Sequence, residues 1–273
     1  MKLTDAGLQQ RELWESSSYT LPTFDRVAMI EESAQNPTWV HFGAGNIFRV
    51  FPAALQQRLL NRGLATTGIV VGEGFDYEII DEVFTKHDNL TLMVTLNSDG
   101  SIAKEVIASV ASAHKCDPHF TEEWEFFKDL FKKPSLQMAS MTITEKGYGL
   151  TGADGSYSPA VANDLAAGPA KSSLFIPKLT ALVYKRYRAT VGPLALVSMD
   201  NCSHNGEKLA NAVKTVAREW KERGFVDSGF LTYLDEQVSF PWSMIDKITP
   251  RPDEAVKRML EADHQDRRRC TLT

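Results

Sequence analysis

The chain has 273 residues, with 35 acidic against 30 basic side chains and a formal net charge of −5. That balance gives no general electrostatic reason to bind nucleic acid or an anionic membrane, and the length suffices for one large domain or two smaller ones. The longest apolar runs are far too short to cross a bilayer, and the polar start Met1-Lys2-Leu3-Thr4-Asp5 lacks a signal-peptide core, so the expected location is the cytoplasm.

Residues 1–36 are a polar lead-in with a mild helical pattern near Val27, Met29 and Ile30, expected to pack on the main domain. The run Trp39-Val40-His41-Phe42 then breaks at Gly43-Ala44-Gly45-Asn46, and Ile47, Phe51, Ala54, Leu55 and Leu59 follow at helical spacing. A second run, Gly68-Ile69-Val70-Val71, ends at Gly72-Glu73, which completes a βαβ unit with an acid where its second strand runs out. Such a unit is suited to a dinucleotide. Gly43 would allow the sharp turn, Gly45 the close approach of a pyrophosphate, and a helix starting near Asn46 would point free N–H groups at phosphate charge. Glu73 would accept from the adenosine ribose hydroxyls and disfavour a 2′-phosphate, which selects NAD over NADP. Phe48 stands where the third glycine of G-x-G-x-x-G would fall, so the helix is expected to sit slightly off the sheet.

Asp76-Tyr77-Glu78-Ile79-Ile80 reads as a short helix or turn, with Asp81 and Glu82 solvated. Residues 90–96 alternate as a strand, Asn97-Ser98-Asp99-Gly100 forms a turn, and residues 102–110 return as its partner, an antiparallel extension of the sheet. Residues 119–133 read as an amphipathic helix stopped by Pro134, with Phe120, Trp124, Phe127 and Phe131 as core. Residues 136–143 form another strand running into Thr144-Glu145-Lys146-Gly147-Tyr148-Gly149; polar residues at this place suit the ligand-facing edge of an α/β sheet, and a solvated turn is equally compatible. Residues 151–170 read as a loop, 171–189 as a helix and 194–198 as a buried strand.

After that strand comes Met199-Asp200-Asn201-Cys202-Ser203-His204-Asn205-Gly206, and helix resumes over about 207–222. Asn201, just past a strand end, is placed to donate to a carbonyl oxygen gaining negative charge. Asp200 would orient that amide or bind substrate hydroxyls, and Asn205 reads as a helix cap. Cys202 and His204 lack a matching second pair of ligands, so no metal is expected and Cys202 reads as a small buried thiol. Three widely spaced cysteines, Cys116, Cys202 and Cys270, do not make a disulfide framework. Residues 225–237 read as a helix, 240–252 as a Pro-punctuated extended segment crossing toward another domain, and 253–260 as a further helix; residues 263–270 show no apolar periodicity. The expected organisation is a lead-in (1–36), a dinucleotide-binding domain (37–250) and the start of a helical domain (251–273). The fold class is α/β, Rossmann-like and doubly wound, with a mainly parallel sheet and an antiparallel hairpin extension.

Phe42-Gly43-Ala44-Gly45-Asn46-Ile47-Phe48-Arg49, Phe75-Asp76-Tyr77, Thr142-Ile143-Thr144-Glu145-Lys146-Gly147-Tyr148, Ser198-Met199-Asp200-Asn201 with Asn205-Gly206, and Met244-Ile245-Asp246-Lys247-Ile248-Thr249-Pro250 occur in an order that resembles the mannitol dehydrogenase family. The resemblance implies a zinc-independent, NAD-dependent oxidoreductase acting between a secondary alcohol and a ketone of an open-chain polyol or hexuronate, with Phe75-Asp76-Tyr77 leaning to the hexuronate side. It implies a phosphate turn at Gly43 and Gly45, Glu73 near the adenosine ribose and an oxyanion-stabilising Asn201; from the residues themselves, Ala44, Asn46 and Ile47 complete the expected cofactor turn, and Asp200 and Lys146 are the residues expected toward substrate. The family's general base, a lysine in Lys-x-x-x-x-Asn-x-x-His, has no counterpart here, and Arg267-Arg268-Arg269 is unlike the expected continuation. The chain is therefore expected to be the cofactor half with most of the second domain missing. A non-catalytic dinucleotide-binding module, or an inactive truncated paralogue, is the alternative. The partner expected is a small molecule, not a nucleic acid or a membrane, and oligomeric state stays open.

Overall fold

The computed structural model describes residues 1–250 and 254–265. Among these residues nine strands fall into two sheets: β1 (Tyr19–Thr20), β2 (Trp39–Phe42), β3 (Ile69–Glu73), β4 (Thr91–Leu96), β5 (Ile102–Ile107), β6 (Val110–Lys115), β7 (Met138–Met141), β8 (Leu194–Ser198) and β9 (Val238–Ser239). The larger sheet has the order β6-β3-β2-β7-β8-β9 and every pairing in it is parallel. A parallel sheet has both faces covered, and the sequence shows why this one does: all five residues of β3 are buried, with Ile69 and Val71 packing toward one face and Val70 toward the other. One face carries Phe42, Phe127, Phe131, Leu182 and Trp220 under the helices Thr121–Phe131, Phe175–Ala189 and Asn205–Glu222. The opposite face carries Ala44, Phe48, Ala53 and Phe84. This is the Rossmann-type, doubly wound architecture read from the sequence.

The hairpin over 90–107 forms, with β4 and β5 antiparallel from Thr91 opposite Ile107 to Leu96 opposite Ile102. It joins β1 in a separate three-stranded sheet rather than lengthening the main one. The main sheet gains instead β6, which pairs parallel with β3, and the short edge strand β9. Residues 159–167, read as loop, are helix: Ser158 accepts from the Val161 N–H as cap, and Pro159 fills the first turn, where its missing N–H is harmless. The last helix, Glu254–Gln265, runs past the point where apolar periodicity fades. Asp263 holds it there, accepting from Tyr19 Oη at 2.9 Å and Lys104 Nζ at 2.8 Å, while Leu260 packs near Trp14, Tyr19 and Leu90. Arg267, Arg268, Arg269 and Cys270 lie outside the described residues.

Two buried polar side chains fix the layers around the sheet. Arg186, 1 % exposed, donates to five carbonyls: Phe131 (3.1 Å), Lys133 (2.9 Å), Leu136 (3.0 Å), Gly192 (3.1 Å) and Pro193 (2.9 Å). It thereby joins the end of the helix Thr121–Phe131 to the entries of β7 and β8. His41 on β2 is fully buried, with Nδ1 at 2.7 Å from Ser140 Oγ and Nε2 at 3.1 Å from Thr142 Oγ1. Its ring stacks on Phe48 at 4.2 Å and 11°. The missing third glycine is thus answered by a ring-on-ring contact: the helix Asn46–Val50 carries Phe48 onto His41, ends after one turn, and chain direction resets at Phe51 before the helix Pro52–Asn61.

Replacing Arg186 by Met strands several of those carbonyls away from donors, and the unfolding free energy should fall by on the order of 3 kcal/mol or more in urea titration. Burial lowers the His41 pKa to about 3 from an unfolded value near 6.5. Between those limits the unfolded chain binds the extra proton, so this stability is complete above pH 6.5 and falls with acid by up to about 1.4 kcal/mol per pH unit. Urea midpoints for His41→Asn should show a shallower decline from pH 6.5 to 4 than the parent; parallel declines would contradict the assignment.

Candidate functional site

Because the main sheet is parallel, the turns after β2, β3, β7 and β8 all open on one edge, the edge at which open α/β sheets hold ligands. Gly43 has φ +108°, and a Cβ there would lie 2.4 Å from the Thr142 carbonyl oxygen, so both conformation and space require glycine. A Cβ on Gly45 would meet nothing within 4 Å, which leaves its outer side open to a ligand. Gly45 caps the helix without a side chain, and the N–H groups of Gly45, Asn46, Ile47 and Phe48 find no acceptor among the described residues. An open glycine beside unpaired N–H groups fits the phosphate end of a dinucleotide.

Glu73 ends β3 beside this turn. Its Oε2 accepts from the Ala44 N–H at 2.8 Å, and its Oε1 from the N–H groups of Phe75 (2.9 Å) and Asp76 (3.2 Å). The acid therefore sits where the sequence placed it, with three of its four acceptor positions occupied by backbone. Asp76 and Phe75 project outward, Phe75 at 93 % exposure. Lys178, fully buried, secures the same loop by donating to Gly74 O at 3.1 Å and Asp117 Oδ2 at 2.8 Å, and Tyr77 Oη also donates to Asp117 at 2.7 Å. Burial alone would raise the Asp117 pKa; the hydrogen bonds from Lys178, the His119 backbone, Tyr77 and the His119 ring outweigh it and hold the carboxyl well below its usual range.

On the other flank, Asp200 accepts from the N–H groups of Ile143 (3.0 Å) and Thr144 (2.8 Å) and from Tyr148 Oη. Its carboxylate clamps the turn after β8 to the turn after β7, where Thr144 sits at φ +66°. Burial first, and then the Asp200 charge, push the Tyr148 hydroxyl pKa up, which keeps it a neutral donor. Asn201, next in sequence, is exposed, and its side chain has no hydrogen-bond partner among the described residues. Lys146 is likewise exposed and without an ion-pair partner among them. Asn201 and Lys146 thus belong to two turns that Asp200 joins.

Two readings of this flank need correction. Asn205 does not cap the following helix: His204 occupies that position, and Asn205 is buried in the first turn. Its amide donates to Asp200 O (3.0 Å) and Ser243 O (2.9 Å), and its Oδ1 accepts from the Ser243 N–H (3.2 Å), so it ties the β8 turn to the extended segment over 240–250. Cys202 is half-buried rather than enclosed, and His204 is exposed with its ring stacked 4.4 Å from Trp242. No group of three or more His, Cys, Asp or Glu side chains suited to a metal occurs among the described residues. Nor is any described helix long and apolar enough to cross a membrane. The Lys178–Asp117–Tyr77 set leaves no mark in the sequence, because its members lie far apart in the chain.

Comparison with known proteins agrees with this geometry. The chain is 46 % identical over 261 residues to a D-mannonate oxidoreductase of Thermotoga maritima, covering 96 % of this chain and 48 % of that protein. It is 28 % identical to a mannitol 2-dehydrogenase of Cereibacter sphaeroides, over 85 % of this chain and 46 % of the relative. A crystal structure of D-sorbitol dehydrogenase in substrate-free form superimposes with a TM-score of 0.74 at 26 % identity, over 90 % of this chain and 48 % of that one. The Pseudomonas fluorescens mannitol 2-dehydrogenase, solved as a ternary complex with NAD and D-mannitol, gives a TM-score of 0.79 at 22 % identity over 96 % of this chain and 50 % of that one, a likeness of fold. The chain spans about half the length of the curated relatives it matches. The family model of the mannitol dehydrogenase Rossmann domain matches residues 37–266, and the chain belongs to that family.

Proposed function

We propose that this chain is the cofactor-binding half of an NAD-dependent oxidoreductase that interconverts a secondary alcohol and a ketone on an open-chain sugar acid or polyol. The observation that carries the reading is the turn at 43–46: an unobstructed Gly45, a run of N–H groups without acceptors, and an acid at the end of the adjacent strand. The likeness to a protein named for mannonate favours a sugar acid over a neutral polyol, and the 28 % relative named for mannitol keeps the polyol in view.

NAD, when bound, supplies the hydride acceptor. The residues of this chain do the rest of what its half of the site can do. Gly43 and Gly45 bring the backbone to the pyrophosphate, with Ala44, Asn46 and Ile47 completing the turn. Glu73 keeps one acceptor position on Oε2 for a ribose hydroxyl, and its charge, with that of Asp76, disfavours a 2′-phosphate. Asn201 offers its free amide to the substrate oxygen where negative charge develops, Asp200 positions it by fixing the turn, and Lys146 offers a cation to the substrate. A proton acceptor of the Lys-x-x-x-x-Asn-x-x-His kind does not occur in these 273 residues, so turnover by this chain alone is expected to be slower by about 10²- to 10⁴-fold than with such a base present. That same feature favours the second reading, a dinucleotide-binding module without turnover.

Calorimetric titration with NADH and NADPH, followed by nicotinamide absorbance with fructuronate or fructose added, separates these readings. NADH should bind in preference to NADPH; rapid oxidation would mean that a base lies within these residues, and failure to bind either nucleotide would overturn the cofactor reading. Gly43→Ala, forced into a left-handed backbone against the Thr142 carbonyl, should weaken NADH at least tenfold. Asn201→Ala should leave NADH affinity unchanged, since its amide faces substrate; a tenfold loss would place it in the cofactor site instead.

A further inference from the structure

Between the helix Asn46–Val50, strand β4 and residues 247–250 lies a cavity of about 720 Å³ that adjoins the cofactor turn through Asn46 and whose other residues have no part in the reaction as described. Leu92 and Leu260 contribute to its apolar wall, and Asn46, Arg49, Glu82 and Lys247 are among its polar groups. Arg49 is out of balance with its surroundings. Its Nη2 donates to Asn46 Oδ1, its Nε is fully enclosed with no acceptor, and no carboxylate pairs with it among the described residues. Glu82, the acid on the cavity wall, is held by Lys86. Lys247 points its ammonium over the Phe51 ring, 5.4 Å from the centroid, and also has no acidic partner among the described residues.

Arg49 is half-buried with its Nε enclosed; a guanidinium partly withdrawn from water without a counter-charge is unfavourable, and its planar fork of donors matches two oxygens on one anionic group. We propose that this cavity is an anion-receiving site in which Arg49, with Lys247 as second cation, takes a paired-oxygen anionic group: the carboxylate of a sugar-acid substrate or the pyrophosphate of the cofactor. Both sources offer Arg49 the same chemistry, and the site rests on the proposed function only for the choice of these two ligands.

The test is calorimetric titration of the full chain with mannonate, with mannitol as its neutral counterpart, and with NADH. If the carboxylate is the source, mannonate binds and mannitol does not, and Arg49→Met weakens mannonate at least tenfold while NADH is unchanged. If the pyrophosphate is the source, Arg49→Met weakens NADH by that factor instead. Arg49→Lys, which keeps the charge and loses the fork, should recover part of the affinity. Lys247→Met, at an exposed side chain that leaves the core untouched, should weaken the same ligand to a smaller extent and decides the matter if Arg49→Met does not fold. Variants at both positions that bind NADH and mannonate as the parent does, or a parent that binds neither, would overturn the site. Arg49-dependent mannonate binding without any NADH binding would instead sink the cofactor reading and leave this site standing.

Discussion

One carboxylate keeps the cofactor edge in shape. Glu73 stands at the end of β3, and its two oxygens reach in opposite senses: one to the Ala44 N–H in the turn after β2, the other to the Phe75 and Asp76 N–H groups in its own loop. Parallel pairing brings the ends of β2 and β3 to the same edge but leaves the backbone beyond them without ladder partners. Buried N–H groups left there would be unfavourable. A single acid satisfies one buried N–H, that of Ala44, and two part-buried ones, and so ties the two loops together. Its charge has a second effect, because it makes this edge of the sheet locally negative.

The opposite flank obeys the same rule with different residues. Asp200 secures the turn after β7 from the turn after β8, and Asn205 secures the turn after β8 from the segment that contains Ser243. Asp200, which the sequence offers toward substrate, and Asn205, which it offers as a helix cap, are thus both engaged by backbone. The side chains left unengaged beside them include Asn201 and Lys146, both exposed. Rigidity at this flank is supplied by residues whose polar groups point inward onto backbone.

Much of this architecture is legible in the sequence. The β2-turn-helix-β3 unit can be read because a short apolar run gives way to helical spacing across two glycines, and β7 and β8 because they are buried runs bounded by polar turns. The strand β6 cannot, since only Ala108 and Ser109 separate it from β5 and the two merge into one apparent run. The helix Pro159–Ala167 is hidden by a composition of Ala, Asn and Asp that also suits a loop, although Ser158-Pro159 is a sound start signal. Position 73 is recognisable as the acid, but the three N–H groups around it are not, because contacts between Ala44 and Glu73 have no one-dimensional signature. For the same reason Phe48 reads as an obstacle; His41 becomes its stacking partner only once strand and helix are folded together.

Arg186 illustrates the effect of giving a buried charge dipoles as its partners. All five of its acceptors are backbone carbonyls. None of them titrates, and counter-ions in solution scarcely reach a contact of this depth. The seam joining the Thr121–Phe131 helix to the entries of β7 and β8 is therefore held alike in dilute buffer and in concentrated salt, and alike in acid and in base. Exposed ion pairs such as Lys128 with Glu125 loosen under those changes. The scaffold beneath the ligand edge thus keeps its geometry while the charged surface around it responds to the medium.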